Sequence, residues 1–141
     1  MRCMILGVAG LAALALAVPM RALADEDLGR REYESKCAVC HGATGEGNGY
    51  LAAYLTIRPP SLTRLKKANG GRFPFERITQ VVDGRVDVRT HGTRDMPVWG
   101  SIYAGEVPGA YDTKSGQKRP DNAQVRARID ALVNYVSQLQ E

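Results

Sequence analysis

Two thiols and an imidazole stand within five residues, Cys37-Ala38-Val39-Cys40-His41, with Gly42 directly after them. This C-x-x-C-H arrangement is the attachment motif of a c-type haem. Each thiol adds to one porphyrin vinyl group to form a thioether, and the two-residue spacer matches the separation of the two vinyls. The histidine after the second cysteine then falls beneath the iron as an axial ligand. Two other chemistries use paired cysteines. A thioredoxin-like dithiol follows a strand, whereas the stretch before Cys37 has a helical pattern. A structural zinc site needs further Cys or His ligands, and His91 is the only histidine left downstream. One motif predicts one covalently bound haem c, held by Cys37 and Cys40 and ligated by His41.

The start of the chain bears on where such a motif operates. Met1-Arg2 gives a positive start, and Met4 to Val18 is an unbroken run of 15 apolar or glycine residues. Pro19 and the small-residue stretch Ala22-Leu23-Ala24 then precede the acidic Asp25-Glu26-Asp27. This order is that of a cleaved secretory signal. An uncleaved anchor would need about 20 apolar residues, and Pro19 and Arg21 interrupt the run too early. The expected division is a signal peptide over residues 1–24 and a domain over residues 25–141, exported to the periplasm, with no transmembrane segment in the mature chain. Cys3 lies ahead of the apolar run and leaves with the signal. A lone cysteine pair in an exported protein ordinarily suggests a disulfide, but here haem attachment occupies both thiols.

Cleavage after Ala24 removes 24 of the 141 residues and leaves 117, enough for one small domain with a modest core. A covalently held haem adds a large apolar body around which short helices pack. Arg2 and Arg21 leave with the signal, so the 19 Lys and Arg fall to 17 against 15 Asp and Glu, a formal +2. No charge run is dense enough for nucleic acid. Basic clusters at Arg64, Lys66 and Lys67, at Arg85, Arg89 and Arg94, and at Lys114, Lys118 and Arg119 are either solvated surface or a means of steering an acidic redox partner. Neither a Ser-His-Asp set nor paired acid–base carboxylates are present. Gly45 to Gly49 lacks the lysine and flanking strand of a phosphate-binding loop.

Helices must position the motif, because the pattern shows no convincing strands. Asp27 to about Val39 reads as a first helix, with acidic residues at its positive end and Leu28, Tyr33 and Cys37 on roughly one face. Cys40 to Pro60, with Gly42, Gly45, Gly47 and Gly49, reads as a loop able to run closely over a haem edge. Ser61 is a candidate cap for a helix over Leu62 to Ala68, stopped at Asn69-Gly70-Gly71. Pro74 suits the first turn of the next helix, with Phe75, Ile78, Val81 and Val82 as its apolar side and Gly84 just past its end. Trp99 to Tyr103 reads as a helical turn within loop. Asp121 or Asn122 caps a last helix whose Val125, Ile129, Leu132, Val133 and Val136 follow the 3.6 period. The fold class is all-α, one small helical domain around a covalently attached haem.

Three features beyond the haem motif make the chain resemble the class I c-type cytochromes, in their monohaem electron-carrier group. Gly29, Tyr33 and Cys37 are spaced four and four like the family's first helix, and Leu132 with Tyr135 resembles the aliphatic–aromatic pair of its last helix. Met96-Pro97-Val98-Trp99-Gly100 resembles the methionine-ligand loop of bacterial members. The resemblance implies that the first and last helices cross near a right angle at Gly29, and that Met96 is the second axial iron ligand opposite His41. A lone methionine is otherwise usually core filler, and His91 is a competing ligand that would lower the potential, because a thioether favours ferrous iron. The resemblance also implies that the carbonyl of Pro59 or Pro60 holds the ring of His41. Trp99 and Tyr50 would line the haem or bond a propionate, with Arg58 a further propionate candidate. Glu106 to Pro120 departs from the pattern of small members.

With both axial positions filled, such a site suits electron transfer rather than catalysis. The resemblance implies redox protein partners, with a quinol-oxidising complex or a dehydrogenase as donor and a terminal oxidase as acceptor. Two alternatives stay open, a haem subunit of a larger oxidoreductase and a haem-based sensor or peroxidase.

Overall fold

The computed structural model describes residues 20–86, 96–107, 111–112, 117–118 and 122–141, with side chains from residue 25 onward outside 108–121. His91, Cys3, Arg89, Arg94, Lys114, Arg119 and most of the expected signal peptide therefore lie outside the described residues, as does much of Glu106 to Pro120.

Helix α6, Ala123–Gln138, is the spine. Its apolar residues at helical spacing, Val125, Ile129, Leu132, Val133 and Val136, are all buried. Asn122 caps it, its side-chain oxygen accepting from Gln124 N at 3.0 Å and Val125 N at 3.1 Å, so of the two candidates Asn122 does this work. Across it lies α1, Met20–Glu32, in the most extensive contact between any two elements described. The approach is close because position 29 has no side chain: a Cβ there would overlap the carbonyl oxygen of Ala131. One turn on, Tyr33 packs its ring 5.3 Å from that of Tyr135 and donates its hydroxyl to Gly42 O at 2.6 Å. The glycine–aromatic spacing thus meets the Leu132/Tyr135 end of α6 as expected.

The first helix is longer than its sequence pattern, and it is not regular. Beyond Glu32 the chain makes a π-helical turn, Tyr33–Cys37, before α2, Ala38–His41. Such a bulge rotates the residues that follow relative to those before; here Tyr33 and Cys37 both remain buried. The Gly-rich loop then folds back on α2. Gly47 N donates to His41 O at 2.8 Å and Gly49 N to Cys40 O at 3.1 Å, leading into a short 3-10 helix, Tyr50–Tyr54.

Ser61 caps a turn rather than a helix. Its hydroxyl accepts from Thr63 N at 3.3 Å, and α3 is only Leu65–Ala68. This segment is tied to the end of α6 instead, where Gln140 Nε2 donates to Leu62 O at 2.8 Å and Glu141 N to Thr63 O at 3.0 Å. Helix α4, Phe75–Asp83, ends at Gly84 in the left-handed conformation with φ 81°. A Cβ at Gly84 would also overlap the side chain of Val98, so this glycine seats the start of α5, Trp99–Glu106. Helix α5 is a turn longer than the sequence suggested. Among the described residues the regular structure is helical apart from one two-rung antiparallel ladder, β1 Tyr111–Asp112 with β2 Gln117–Lys118, inside the stretch that departs from the family pattern.

Candidate functional site

Cys37, Cys40, His41 and Met96 all line a single cavity of about 350 Å³ between α2, α4, α5 and α6. Two elements converge to do this. The π turn and α2 bring the C-x-x-C-H residues to one wall, and the loop before α5 brings Met96. The rest of the lining is mainly apolar, including Leu55, Ile57, Leu62, Leu65, Ile78, Val81 and Val82, with Leu132, Val133 and Val136 from α6 forming the floor. An apolar chamber of this size with a few convergent polar groups has the character of a ligand or cofactor site.

The donor set discriminates between the chemistries. The Cys37 and Cys40 thiols are not joined to each other, and Cys37 is only 8% exposed. Burial, then the nearby Glu32 and Cys40, push the Cys37 thiol up to about 12. A redox dithiol needs a lowered thiol pKa, and the environment of Cys37 pushes the other way. Among the described residues, no three His, Cys, Asp or Glu side chains converge as a metal cage, which is what a zinc reading requires. A haem c fits. The thiols supply the thioethers, the apolar walls take the porphyrin, and an imidazole and a thioether supply iron ligands.

The second coordination sphere resolves one ambiguity. His41 Nδ1 lies 3.3 Å from the carbonyl oxygen of Pro60, so Pro60 rather than Pro59 holds the ring. A proton on Nδ1 makes Nε2 the lone-pair donor, the form of imidazole that ligates a metal. Pro59 and Pro60 both line the cavity.

Two other expected roles come out differently. Trp99 lines the cavity, but Tyr50 is 76% exposed and stacks on Tyr54 at 5.7 Å. The 3-10 turn points both tyrosines outward. Arg58 lines a separate shallow hollow with Asn48, Gly49, Ala52 and Ala53. The cationic residues at the cavity are instead Lys36 and Arg77. Of the Cys40 to Pro60 loop, Leu55, Ile57, Pro59 and Pro60 line the cavity, whereas its glycines do not; Gly47 and Gly49 hydrogen-bond to the backbone of His41 and Cys40 and so support the site from behind. Lys36 directly precedes Cys37, a signal available in the sequence, whereas Arg77 reaches the cavity only through the placement of α4.

The family model described as cytochrome c oxidase, cbb3-type, subunit III matches residues 24–107, more than half of the 141. The chain belongs to that family. It is therefore a cytochrome c domain of the class I, monohaem-like kind, and the fold and cavity are those such a domain needs. Membership implies a covalently bound haem c and haem-based electron transfer. The match spans Cys37, Cys40, His41 and Met96 and ends at Val107, before α6; α6 joins this cytochrome c domain by its packing on α1, α4 and α5, closest where Gly29 meets Ala131. No curated protein and no solved structure matches the chain.

Proposed function

We propose that this cytochrome c domain carries one haem c, bound through Cys37 and Cys40 with His41 and Met96 as axial ligands, and passes single electrons between redox proteins of the cell envelope. The observation that carries the reading is the convergence of these four side chains on one apolar cavity. When bound, haem c supplies an iron that alternates between ferric and ferrous states by one electron. The chain's own part is to hold that iron closed and dry. His41, oriented by Pro60, and Met96 would hold the iron between them and leave no position open for a substrate. Leu132, Val133 and Val136 keep water from one side. Cys40 is half-buried while Cys37 is buried, and Val39 between them is exposed, so the edge nearest Cys40 is where electrons enter and leave.

Export rests on the sequence order of residues 1–24, with cleavage after Ala24 leaving residues 25–141 in the periplasm; the family match begins at residue 24, at that boundary. No helix of the described residues is long and apolar enough to cross a membrane. Donors such as a quinol-oxidising complex or a dehydrogenase, and a terminal oxidase as acceptor, suit this placement. The family description favours one second reading, a haem c subunit held within an oxidase. Stable co-purification with oxidase subunits from membranes selects the subunit; a protein that elutes alone and is reduced and reoxidised by added partners selects the free carrier.

The ligand set is tested in the ferric spectrum. A methionine–iron charge-transfer band should appear, disappear in Met96→Ala and survive in His91→Ala. The opposite pattern sinks the assignment. Rapid carbon monoxide binding to the reduced protein at neutral pH would select the sensor or peroxidase reading instead.

A further inference from the structure

Four charged side chains from four elements form one connected group beside the cavity. Lys36 Nζ donates to Glu106 Oε1 at 2.8 Å, and Arg128 Nη1 lies 2.7 Å from Glu106 Oε2. Arg128 then uses Nε and Nη2, at 2.8 Å and 2.7 Å, to hold Glu32 Oε1. Glu106 is thus shared, one oxygen for the π turn that carries Cys37 and one for α6. Three members are shielded and one is not: the side chains of Lys36 and Arg128 are 18% and 21% exposed and that of Glu32 is 9%, whereas Glu106, at the end of α5, is 41% exposed. Between the cations sits Tyr103 of α5, fully buried, with the Arg128 guanidinium 4.2 Å and the Lys36 ammonium 5.2 Å from its ring centroid.

Glu106 is the last residue of α5, and the other end of that helix faces the iron site. Val98 O accepts from Ser101 N and Ile102 N in the first turn, and only Pro97 separates Val98 from Met96. Proline has a fixed φ, so the Met96 backbone has little freedom relative to the helix. Eight residues make a rod of about 12 Å, wedged at one end by Val98 against Gly84 and clamped at the other by Glu106.

We infer that the Lys36–Glu106–Arg128–Glu32 group seats α5 so that Met96 is held in place over the cavity, which makes Glu106 a positioning residue for the methionine ligand. The inference rests on the Met96 reading above. Removing the carboxylate charge leaves Lys36 and Arg128 facing each other across Tyr103 without the anion that separates them. Helix α5 then loses its clamp while Cys37, Cys40 and His41 keep their own supports. Isolated exposed pairs are worth little, but Glu106 is shared by two mostly buried cations, and its loss leaves their charge less compensated.

The test is imidazole titration of the ferric, haem-loaded chain, read as loss of the methionine–iron charge-transfer band, together with amide hydrogen exchange across α5. Glu106→Gln should bind imidazole about tenfold more tightly than wild type, equivalent to about 1.4 kcal/mol easier release of Met96, and amides near Tyr103 should exchange faster. Glu106→Asp, which keeps the charge but shortens the reach, should fall between, and it stands in if Glu106→Gln does not fold. Glu34→Gln, which breaks the exposed Arg30–Glu34 pair on α1's extension, should leave imidazole affinity unchanged. An affinity for Glu106→Gln within about twofold of wild type, or an equal shift in Glu34→Gln, overturns the inference while leaving the ligand assignment intact. A wild-type protein with no charge-transfer band removes the Met96 reading itself, and the inference with it.

Discussion

Two glycine-to-alanine substitutions, both inside helices, should move stability in opposite directions. At Gly105 in α5 an added Cβ meets nothing within 4 Å, so Gly105→Ala gains only helix propensity, about 0.5–1 kcal/mol. At Gly29 the same propensity gain is available, but the new Cβ overlaps the Ala131 carbonyl oxygen and crowds Tyr135 Cβ at 3.1 Å. Backbone of a 16-residue helix cannot swing aside as a flexible side chain can. Overpacking costs typically about 1–3 kcal/mol, and an overlap with backbone belongs at the top of that range. Against a propensity gain of about 1 kcal/mol, Gly29→Ala should therefore lose about 2 kcal/mol, a fall in Tm of about 8 °C for a domain of this size. Denaturant unfolding of the haem-loaded proteins, with the midpoint read at unchanged slope, measures both. Equal or higher stability in Gly29→Ala would refute the argument that a close α1–α6 crossing organises this fold.

Other perturbations isolate single contacts. Asn122→Ala removes the two cap bonds of α6 and should cost about 1 kcal/mol, with hydrogen exchange showing the loss confined to the first turn. Leu132→Ala, at a side chain 1% exposed that also floors the cavity, should cost about 3 kcal/mol and lower the potential by admitting water beside the haem; an unchanged potential would mean that this wall does not exclude solvent. Burial is the main cause that pushes Tyr33 and Tyr103 well above the ordinary tyrosine value of 10.0, with neighbouring charge adding to it. Both groups keep their proton longer when folded, so the stability they confer is intact below pH 10 and declines as pH rises above it, by up to about 1.4 kcal/mol per pH unit for each group. Tyr33→Phe, which also loses the bond to Gly42 O, should be weaker at pH 8 by about 1 kcal/mol yet show a shallower decline above pH 10; equal slopes in denaturation midpoints would sink this account.

What could be read ahead of the structure was whatever local chemistry or periodicity dictates. The C-x-x-C-H spacing is set by a covalent reaction, and α6 shows its buried stripe because one face packs along its whole length. Gly29 and Tyr33 were legible only through their resemblance to the first helix of class I c-type cytochromes; the packing then shows why the spacing matters, since a Cβ at Gly29 would overlap the Ala131 carbonyl oxygen. The π turn at Tyr33–Cys37 was not, because no residue type marks an i to i+5 hydrogen bond. Nor was the Lys36–Glu106–Arg128–Glu32 group, whose partners are 70 and 96 positions apart where they cross the chain. Tyr50 and Arg58 were misplaced because composition gives a loop's polar residues no direction; the 3-10 turn points Tyr50 outward, and Arg58 lines a separate hollow. Ser61 looked like a helix cap, but Leu62 and Thr63 bond instead to Gln140 and Glu141, a competition between the helix and the chain's end that local sequence does not reveal.

Peptide mapping by mass spectrometry of the protein purified from its own cell envelope tests the central claim most directly. The account predicts a chain beginning at Asp25 and a single haem that stays attached through denaturation to the peptide holding both Cys37 and Cys40. Unmodified thiols at Cys37 and Cys40, or a disulfide between them, would contradict it.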